Sequence, residues 1–335
     1  MFFTYFFVPW LLFKFYERNL PEYRPWFSQF LIYPQMFNIA ILSRGAALYS
    51  TQSLFRAARM RGHYVRIIDH KRCNIVIEKG FPHIIYEGSR LVGVDAVIPR
   101  IGTSVTDYGA AVIRQFELMG VFTSTKSEAL IIARDKLKCL QKLSTSGIHV
   151  PKTFIAGSVE DVPDLIDQLS GVPVVIKLLE STHGVGVILA ESRATAISIV
   201  EAFSKFNQPV ILQEFIEEAG GADIRAFVVG KRVVAAMKRQ AVQGEFRSNL
   251  HRGASSTIEF LTGEETEVVL HAAEMMDLEI AGVDLLRSNR GPLVMEVNAS
   301  PGLEGIETTT GVDIAGAIID NVVRGVRGKV HYKRR

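Results

Sequence analysis

Asp284, Glu296 and Asn298 are the residues of this 335-residue chain whose types and spacing point most directly to chemistry. They lie within I-A-G-V-D-L-L, R-S-N-R-G-P and L-V-M-E-V-N-A-S-P-G-L-E, read in succession over 280–304. Two short apolar runs flank a polar turn holding Gly291 and Pro292, the pattern of a β-hairpin. Side chains alternate along a strand, so Glu296 and Asn298 share one face and Val297 points to the other. If Arg287 pairs with Leu293 across the turn, Asp284 lies opposite Glu296. Two carboxylates and an amide oxygen then converge among Val, Leu and Met, where unpaired charge is costly. A hard cation with oxygen ligands removes that cost, and Mg²⁺ typically bridges such groups to substrate phosphates. The alternative is that both carboxylates sit at the exposed edge of the hairpin, where acidic residues are ordinary.

Basic residues supply a second signal. Lys177 is the one charge in the apolar run V-P-V-V-I-K-L-L over 172–179, and lysine is rarely buried without a partner. A polar loop with two glycines, 180–187, follows at once, and glycines let backbone N–H groups approach an anion closely. Lysine and loop together suggest phosphate binding; a hairpin turn with a snorkelling lysine is the alternative. Helical spacing over 127–146 gives a stripe of Leu137, Leu140 and Leu143 beside Arg134, Lys136, Lys138 and Lys142, a pattern that is usually a solvated face. The stretch 243–256 has little apolar pattern and holds Arg247, Asn249, His251 and Arg252, as a surface loop or an anion site would. No Cys/His or Ser/His/Asp constellation stands out.

The elements that must position these residues can be read around them. Asn38–Leu42 reads as a strand, followed by a helix from about Ser50 to Arg61 and a strand Tyr64–Ile68, a βαβ unit. Ala96–Ile98, a helix through Tyr108–Met119 and Val121–Thr123 complete a small α/β domain. There is no G-x-G-x-x-G after the first strand, which argues against a dehydrogenase. Ser158 and Ser192 are candidate helix N-caps. Val210–Ile216 reads as a strand, and 224–237 as a hairpin about Gly230-Lys231, with Asp223 and Arg225 alternating onto one face. Thr262 and Glu265 form a capping box, and Ala315 to Val326 mark a last amphipathic helix before a basic tail expected to be disordered. Apolar content of 48%, charged content of 22% and a net charge of +3 describe an ordinary globular chain, too weakly basic to argue for nucleic acid. The two cysteines, Cys73 and Cys139, lack a zinc or disulfide context and fit a reducing cytoplasm. Residues 1–35 hold both tryptophans and a dense run of Phe and Tyr. The apolar start is short for a span of about 20 residues and lacks a secretory cleavage pattern. A membrane-surface anchor is one reading; the other is that the functional chain begins at Met36.

In this order the features resemble the ATP-grasp superfamily over about Met36 to Gly328. The carriers are Lys136 on a helix, Lys177 before S-T-H-G-V-G-V, the strand ending Q-E-F-I, D-I-R, and the closing D…E-V-N. I-A-I-L-S-R-G, A-R-D-K, F-R-S-N-L-H-R-G-A and M-E-V-N-A-S-P-G-L-E-G-I-E are similar to the RimK-type glutamate ligases. The resemblance implies an α/β (α+β) ATP-grasp fold: a pre-ATP-grasp domain over 36–125 and an ATP-grasp domain over 126–328. The latter would have a lid at about 140–213 and a C-terminal subdomain at about 214–328. It implies ATP, with Lys136 and Lys177 on its phosphates, Gln213, Glu214, Phe215 and Ile216 at the adenine hinge, and Asp223 and Asn249 also on the nucleotide side. It implies that Arg247 binds phosphate and stabilises transfer, and that Asp284, Glu296 and Asn298 hold Mg²⁺ or Mn²⁺, two ions in all. The expected reaction activates a carboxylate as an acyl phosphate and joins it to L-glutamate. The expected acceptor is an acidic protein C-terminus, that of a small-subunit ribosomal protein, in a cytoplasmic homo-oligomer without nucleic acid, and with membrane only through residues 1–35. Arg44, Arg100 and the 243–252 loop are candidates for binding the acceptor. A ligase for a small carboxylate, or a nucleotide-binding regulator without turnover, is the alternative.

Overall fold

The computed structural model describes residues 35–155, 158–179, 186–205 and 210–333. The chain divides into two compact units, Met1–Met36 and Phe37–Arg335. Residues 1–34, the core of the glycine loop at 180–185, and 334–335 lie outside the described residues.

Strand β1 (Asn38–Leu42) is apolar on both faces because both are covered: Ile39, Ala40, Ile41 and Leu42 are all buried. A parallel sheet demands this. Helix α1 (Tyr49–Met60) leads to β2 (Tyr64–Ile68), which pairs parallel with β1, so the expected βαβ unit is present. A small antiparallel sheet that the sequence did not suggest follows, β3 (Cys73–Val76), β4 (His83–Tyr86) and β5 (Ser89–Arg90). Then come β6 (Ala96–Pro99), α2 (Thr106–Leu118) and β7 (Phe122–Thr123), giving the sheet order β2-β1-β6-β7.

The single helix expected over 127–146 is two, α3 (Ser127–Arg134) and α4 (Lys136–Thr145). Asp135 sits between them in an extended conformation and accepts from the backbone N–H groups of Leu137 and Lys138, an N-cap that restarts the helix. A second sheet follows, with the order β10-β9-β11-β8 and every pairing antiparallel. Its elements are β8 (Thr153–Ile155), α5 (Val162–Gln168), β9 (Val174–Leu178), β10 (Val187–Ala190), α6 (Arg193–Ser204) and β11 (Val210–Glu214). The third sheet, β14-β13-β12-β15-β16, is antiparallel. It comprises β12 (Ala222–Val229), β13 (Arg232–Gln240), β14 (Ser255–Ile258), β15 (Ile280–Ser288) and β16 (Gly291–Asn298). Helix α7 (Gly263–Met275) interrupts it, opened by the expected Thr262–Glu265 capping box. Helices α8 (Glu304–Thr310) and α9 (Ile314–Lys333) close the chain. The tail expected to be disordered from His331 is therefore helical through Lys333.

The packing separates the middle sheet from the rest. Val97, Phe116 and Leu143 share one apolar core with Val283 and Val297, so the first sheet, α4 and the third sheet form one base. A second core joins Ile39 and Leu54 to Phe227 and Ile319. There α9 crosses close enough to Phe122 that a Cβ on Gly325 would lie 2.2 Å from the ring. Val162, Ile166, Val174, Ile176, Val200 and Leu212 form a core of their own between the second sheet and its helices, the region expected to act as the lid. No helix among the described residues is long and apolar enough to cross a membrane.

Candidate functional site

The hairpin β15–β16 is present, and Asp284 pairs with Glu296 as anticipated. The register nearer the turn differs: a bulge after Asp284 sets Leu286 opposite Leu293 and Arg287 opposite Pro292. A bulge adds one residue to one strand, so counting outward from the turn misses it. Glu296 and Asn298 do share a face, and the Asn298 Nδ2 donates to Glu296 Oε1 at 3.0 Å.

Asp284 is not the unpaired carboxylate that the hairpin alone suggested. Arg225, its cross-strand partner on β12, donates to both carboxylate oxygens, and Arg239 of β13 lies 3.0 Å from Oδ2. Arg239 also donates to both oxygens of the buried Asp223, at 2.6 and 2.5 Å. Charges thus alternate across four strands, Arg239 and Asp223, then Arg225 and Asp284, ending at Glu296. Burial would raise the Asp284 carboxyl, but Arg225 and Arg239 outweigh it and hold it at about 2. The Glu296 side chain is 48% exposed against 3% for Asp284, and Arg225 Nη2 stands 3.9 Å from it. Glu296 is the carboxylate at the open end of this ladder.

Facing Glu296 is a set of desolvated cations. Burial lowers the pKa of Lys177 on β9, against the pull of Glu296 and with a push from Lys136. Lys136, the first residue of α4, and Arg134, the last of α3, are lowered by burial and likewise feel Glu296. Arg100, at the end of β6, is pushed down to about 10 by burial and by Arg134 beside it. The break at Asp135 is what allows Arg134 and Lys136 to face one site from two helices. Lys136 Nζ donates to the Leu178 and Leu179 carbonyls, and Lys177 Nζ to Gln213 Oε1 at 2.6 Å. Arg134, Lys136 and Lys177, each half-buried, thus share the field of Glu296, and Arg100 stands beside Arg134.

Other expected residues fall nearby. Gln213 is buried on β11, with its carboxamide between Lys177 and the Thr153 hydroxyl. Glu214 accepts from the Lys152 backbone N–H at 2.6 Å and from Arg290 at 2.5 Å. Phe215 meets Phe246 edge to face with ring centroids 6.4 Å apart, and Ile216 is buried. Arg247 donates to both oxygens of Glu245, which holds that carboxyl at about 2, and to the Val187 carbonyl of the lid at 3.2 Å. Asn249 caps a short turn through its backbone, without a side-chain hydrogen bond there. Arg44 and Arg134, 90 residues apart in the sequence, both bear on the same loop after β6.

The donors present fit Mg²⁺ at the open end of the ladder. Asn298 spends its amide nitrogen on Glu296 and the Gly282 carbonyl, which leaves its carboxamide oxygen turned away from both. That oxygen and the exposed Glu296 carboxylate are hard ligands beside a cationic wall. Among the described residues no cluster of three His, Cys, Asp or Glu side chains could hold a metal, so the set depends on Asn298. Neither cysteine competes as a nucleophile: burial pushes Cys73 up to about 12 and Cys139 up to about 11.

A family model described as the RimK PreATP-grasp domain matches residues 37–130, and one described as the RimK-like ATP-grasp domain matches 133–322. A probable alpha-L-glutamate ligase of Vibrio cholerae serotype O1 (strain M66-2) is 55% identical over 291 residues, 87% of this chain and 97% of the relative. One of Aliivibrio fischeri (strain MJ11) is 58% identical over 282 residues, 84% of this chain and 94% of the relative. Among solved structures, the ATP-grasp ligase PsnB complexed with a phosphomimetic variant of minimal precursor, Mg and ADP is similar in fold. It has a TM-score of 0.69 at 20% identity, covering 87% of this chain and 99% of that one.

Proposed function

Because this chain belongs to the RimK-like ATP-grasp family, an ATP-grasp fold preceded by its pre-ATP-grasp domain, we propose that it is an ATP-dependent α-L-glutamate ligase that extends an acidic protein C-terminus. The names of its relatives support glutamate as the added amino acid. The observation that carries the reading is the pair of lysines brought together there: Lys136 Nζ bonds the Leu178 and Leu179 carbonyls just after Lys177, and both ammonium groups feel Glu296, an arrangement that suits a polyphosphate. Phosphoryl transfer needs alignment and charge neutralisation more than protein nucleophiles.

In this mechanism Lys136 and Lys177 bind the phosphates of ATP. Each is desolvated in advance, so its charge acts in a medium that weakens it little. Glu296 and Asn298 would hold Mg²⁺, which would supply neutralisation of phosphate charge. Asp284, fixed between two guanidiniums, positions Arg225 and through it the hairpin. Gln213 orients the Lys177 ammonium. The acceptor carboxylate takes the γ-phosphoryl group to give an acyl phosphate and ADP, and the glutamate amine then displaces phosphate to form the amide. Arg247, tied to the lid at Val187, is placed to follow the lid onto the phosphates and to help exclude water.

Phosphate release and intact mass test this together, with Mg-ATP, glutamate and a small-subunit ribosomal protein ending in acidic residues. Mass increments of one or more glutamyl residues on that protein are expected. Phosphate release with an unchanged protein mass would move the activity to a small carboxylate, and ATP binding without any turnover would overturn the ligase reading.

A further inference from the structure

Three arginines gather at the carboxyl ends of the first sheet, where open α/β sheets bind ligands. Arg44 follows β1, Arg100 follows β6, and Arg134 reaches the same place from α3. The Arg44 guanidinium lies against Gly102, since a Cβ there would stand 3.5 Å from Arg44 Nη2. Arg134 donates to the Thr103 hydroxyl and the Ile101 carbonyl, both at 2.6 Å. Arg100 donates to the Pro301 carbonyl at 2.8 Å, beyond the end of β16, which joins this cluster to the Glu296 end of the phosphate site. Gly282 allows that approach: a Cβ there would meet Pro301 at 2.8 Å.

None of the three arginines forms an ion pair with a carboxylate among the described residues, although most other arginines near this site do. The partners of Arg100 and Arg134 are neutral carbonyls and a hydroxyl. Independently, the Arg134 Nε is buried with no hydrogen-bond partner, a donor left unsatisfied. Native proteins rarely leave a buried guanidinium donor unmet, and such a group points to a ligand that meets it. The planar arginine fork matches carboxylates and phosphates alike, and with the nucleotide phosphates given to Lys136 and Lys177 a carboxylate is the ligand left for the arginines.

Resting on the ligase reading above, we propose that Arg44, Arg100 and Arg134 form the subsite for the terminal dicarboxylate residue of the acceptor. They grip its side-chain carboxylate, so that the backbone α-carboxylate is the one presented at Lys136 and Lys177. That oxygen attacks the γ-phosphorus, and the bond from phosphorus to the ADP oxygen breaks. The α-amine of free glutamate then attacks the acyl carbon, the bond to phosphate breaks, and the amine gives up a proton. The product ends in glutamate again and presents the same pair of carboxylates to the same subsite. One grip therefore sets both the α-linkage and the capacity for repeated addition.

The test compares two peptides that differ only in a C-terminal Glu or Gln, with wild type, Arg44→Gln and Arg100→Gln. Wild type is expected to prefer the Glu peptide by at least about tenfold in kcat/KM, a preference that falls severalfold or more in both variants. Fragmentation of the products should show α-linked glutamate from wild type and a γ-linked fraction from the variants. Fluorescence anisotropy reads binding of the same peptides without turnover, and a non-hydrolysable ATP analogue serves as control. Equal use of the two peptides by wild type, or an unchanged preference in both variants, overturns the subsite. Loss of analogue binding as large as the loss of peptide binding also overturns it, by assigning the arginines to the nucleotide. Arginine-dependent binding of the Glu peptide without any ligation would retain the subsite and sink the ligase reading instead.

Discussion

Three carboxylates and two guanidiniums cross the third sheet, and their charge balance decides which of them is free to work. Arg239 and Arg225 neutralise Asp223 and Asp284, which leaves Glu296 as the negative charge at the open end. The buried members are paired with guanidiniums, and breaking one pair should be costly. Asp223→Ala removes the partner that Arg239 holds with two hydrogen bonds, and about 3–5 kcal/mol of stability should go with it. Urea unfolding at neutral pH measures this; a loss below about 1 kcal/mol would contradict the ladder as a structural device. Asp284 gives the same argument a pH axis. Its carboxyl is held at about 2 when folded, below the unfolded value near 3.9. A depressed folded pKa contributes stability above the unfolded pKa, and that contribution is lost as the pH falls from about 4 towards 2. The carboxyl carbon shift of Asp284 should therefore stay at its ionised position at pH 3.5, where exposed aspartates are half titrated. The sequence made part of this legible. Alternation along β12 and β16 set Asp223 beside Arg225 and Glu296 beside Asn298. It gave no hint of Arg239, because a cross-strand partner depends on register, and register is fixed by contacts far apart in the chain.

At the scale of the element, the break at Asp135 matters more than either helix it separates. The apolar stripe of Leu137 and Leu143 runs on in phase with α3, so periodicity alone joins the two helices. The contrary signal was local: an aspartate directly before a lysine that opens a new turn, which is an N-cap only if the chain turns there. The bulge after Asp284 and the two-residue strand β5 escaped for the same reason, each being too short to leave a period. Asp135→Ala removes both hydrogen bonds to the backbone of Leu137 and Lys138. It should cost about 1 kcal/mol of stability. It should also weaken ATP binding severalfold, because Lys136 is the first residue the cap fixes. Parallel melting and nucleotide titrations check this. A stability loss with unchanged ATP affinity would show that the cap serves the fold alone.

For the whole molecule, the division of its apolar cores foretells its motion. The base is knitted from both ends of the chain, with α9 laid across α1 and β7. The lid closes a small core of its own, and much of what ties it to the base is polar: Lys136 to the Leu178 and Leu179 carbonyls, and Arg247 to the Val187 carbonyl. Polar ties of this kind exchange readily for ligand contacts, whereas a shared apolar core resists opening. Ile166→Ala tests the division, since Ile166 is fully buried in the lid core and lies outside the base. The substitution should cost about 2–5 kcal/mol within the lid. If the lid unfolds as its own unit, hydrogen exchange should quicken across 162–178 and 187–204 while β1 and β15 keep their protection. KM for ATP should rise, because a lid that is partly unfolded must refold around the nucleotide and the binding-competent fraction falls. The main melting transition, which reports the base, should move little, and saturating ATP analogue should restore exchange protection in the lid. If β1 and β15 lost protection together with the lid, the two cores would be one cooperative unit and closure would have to move the base as well.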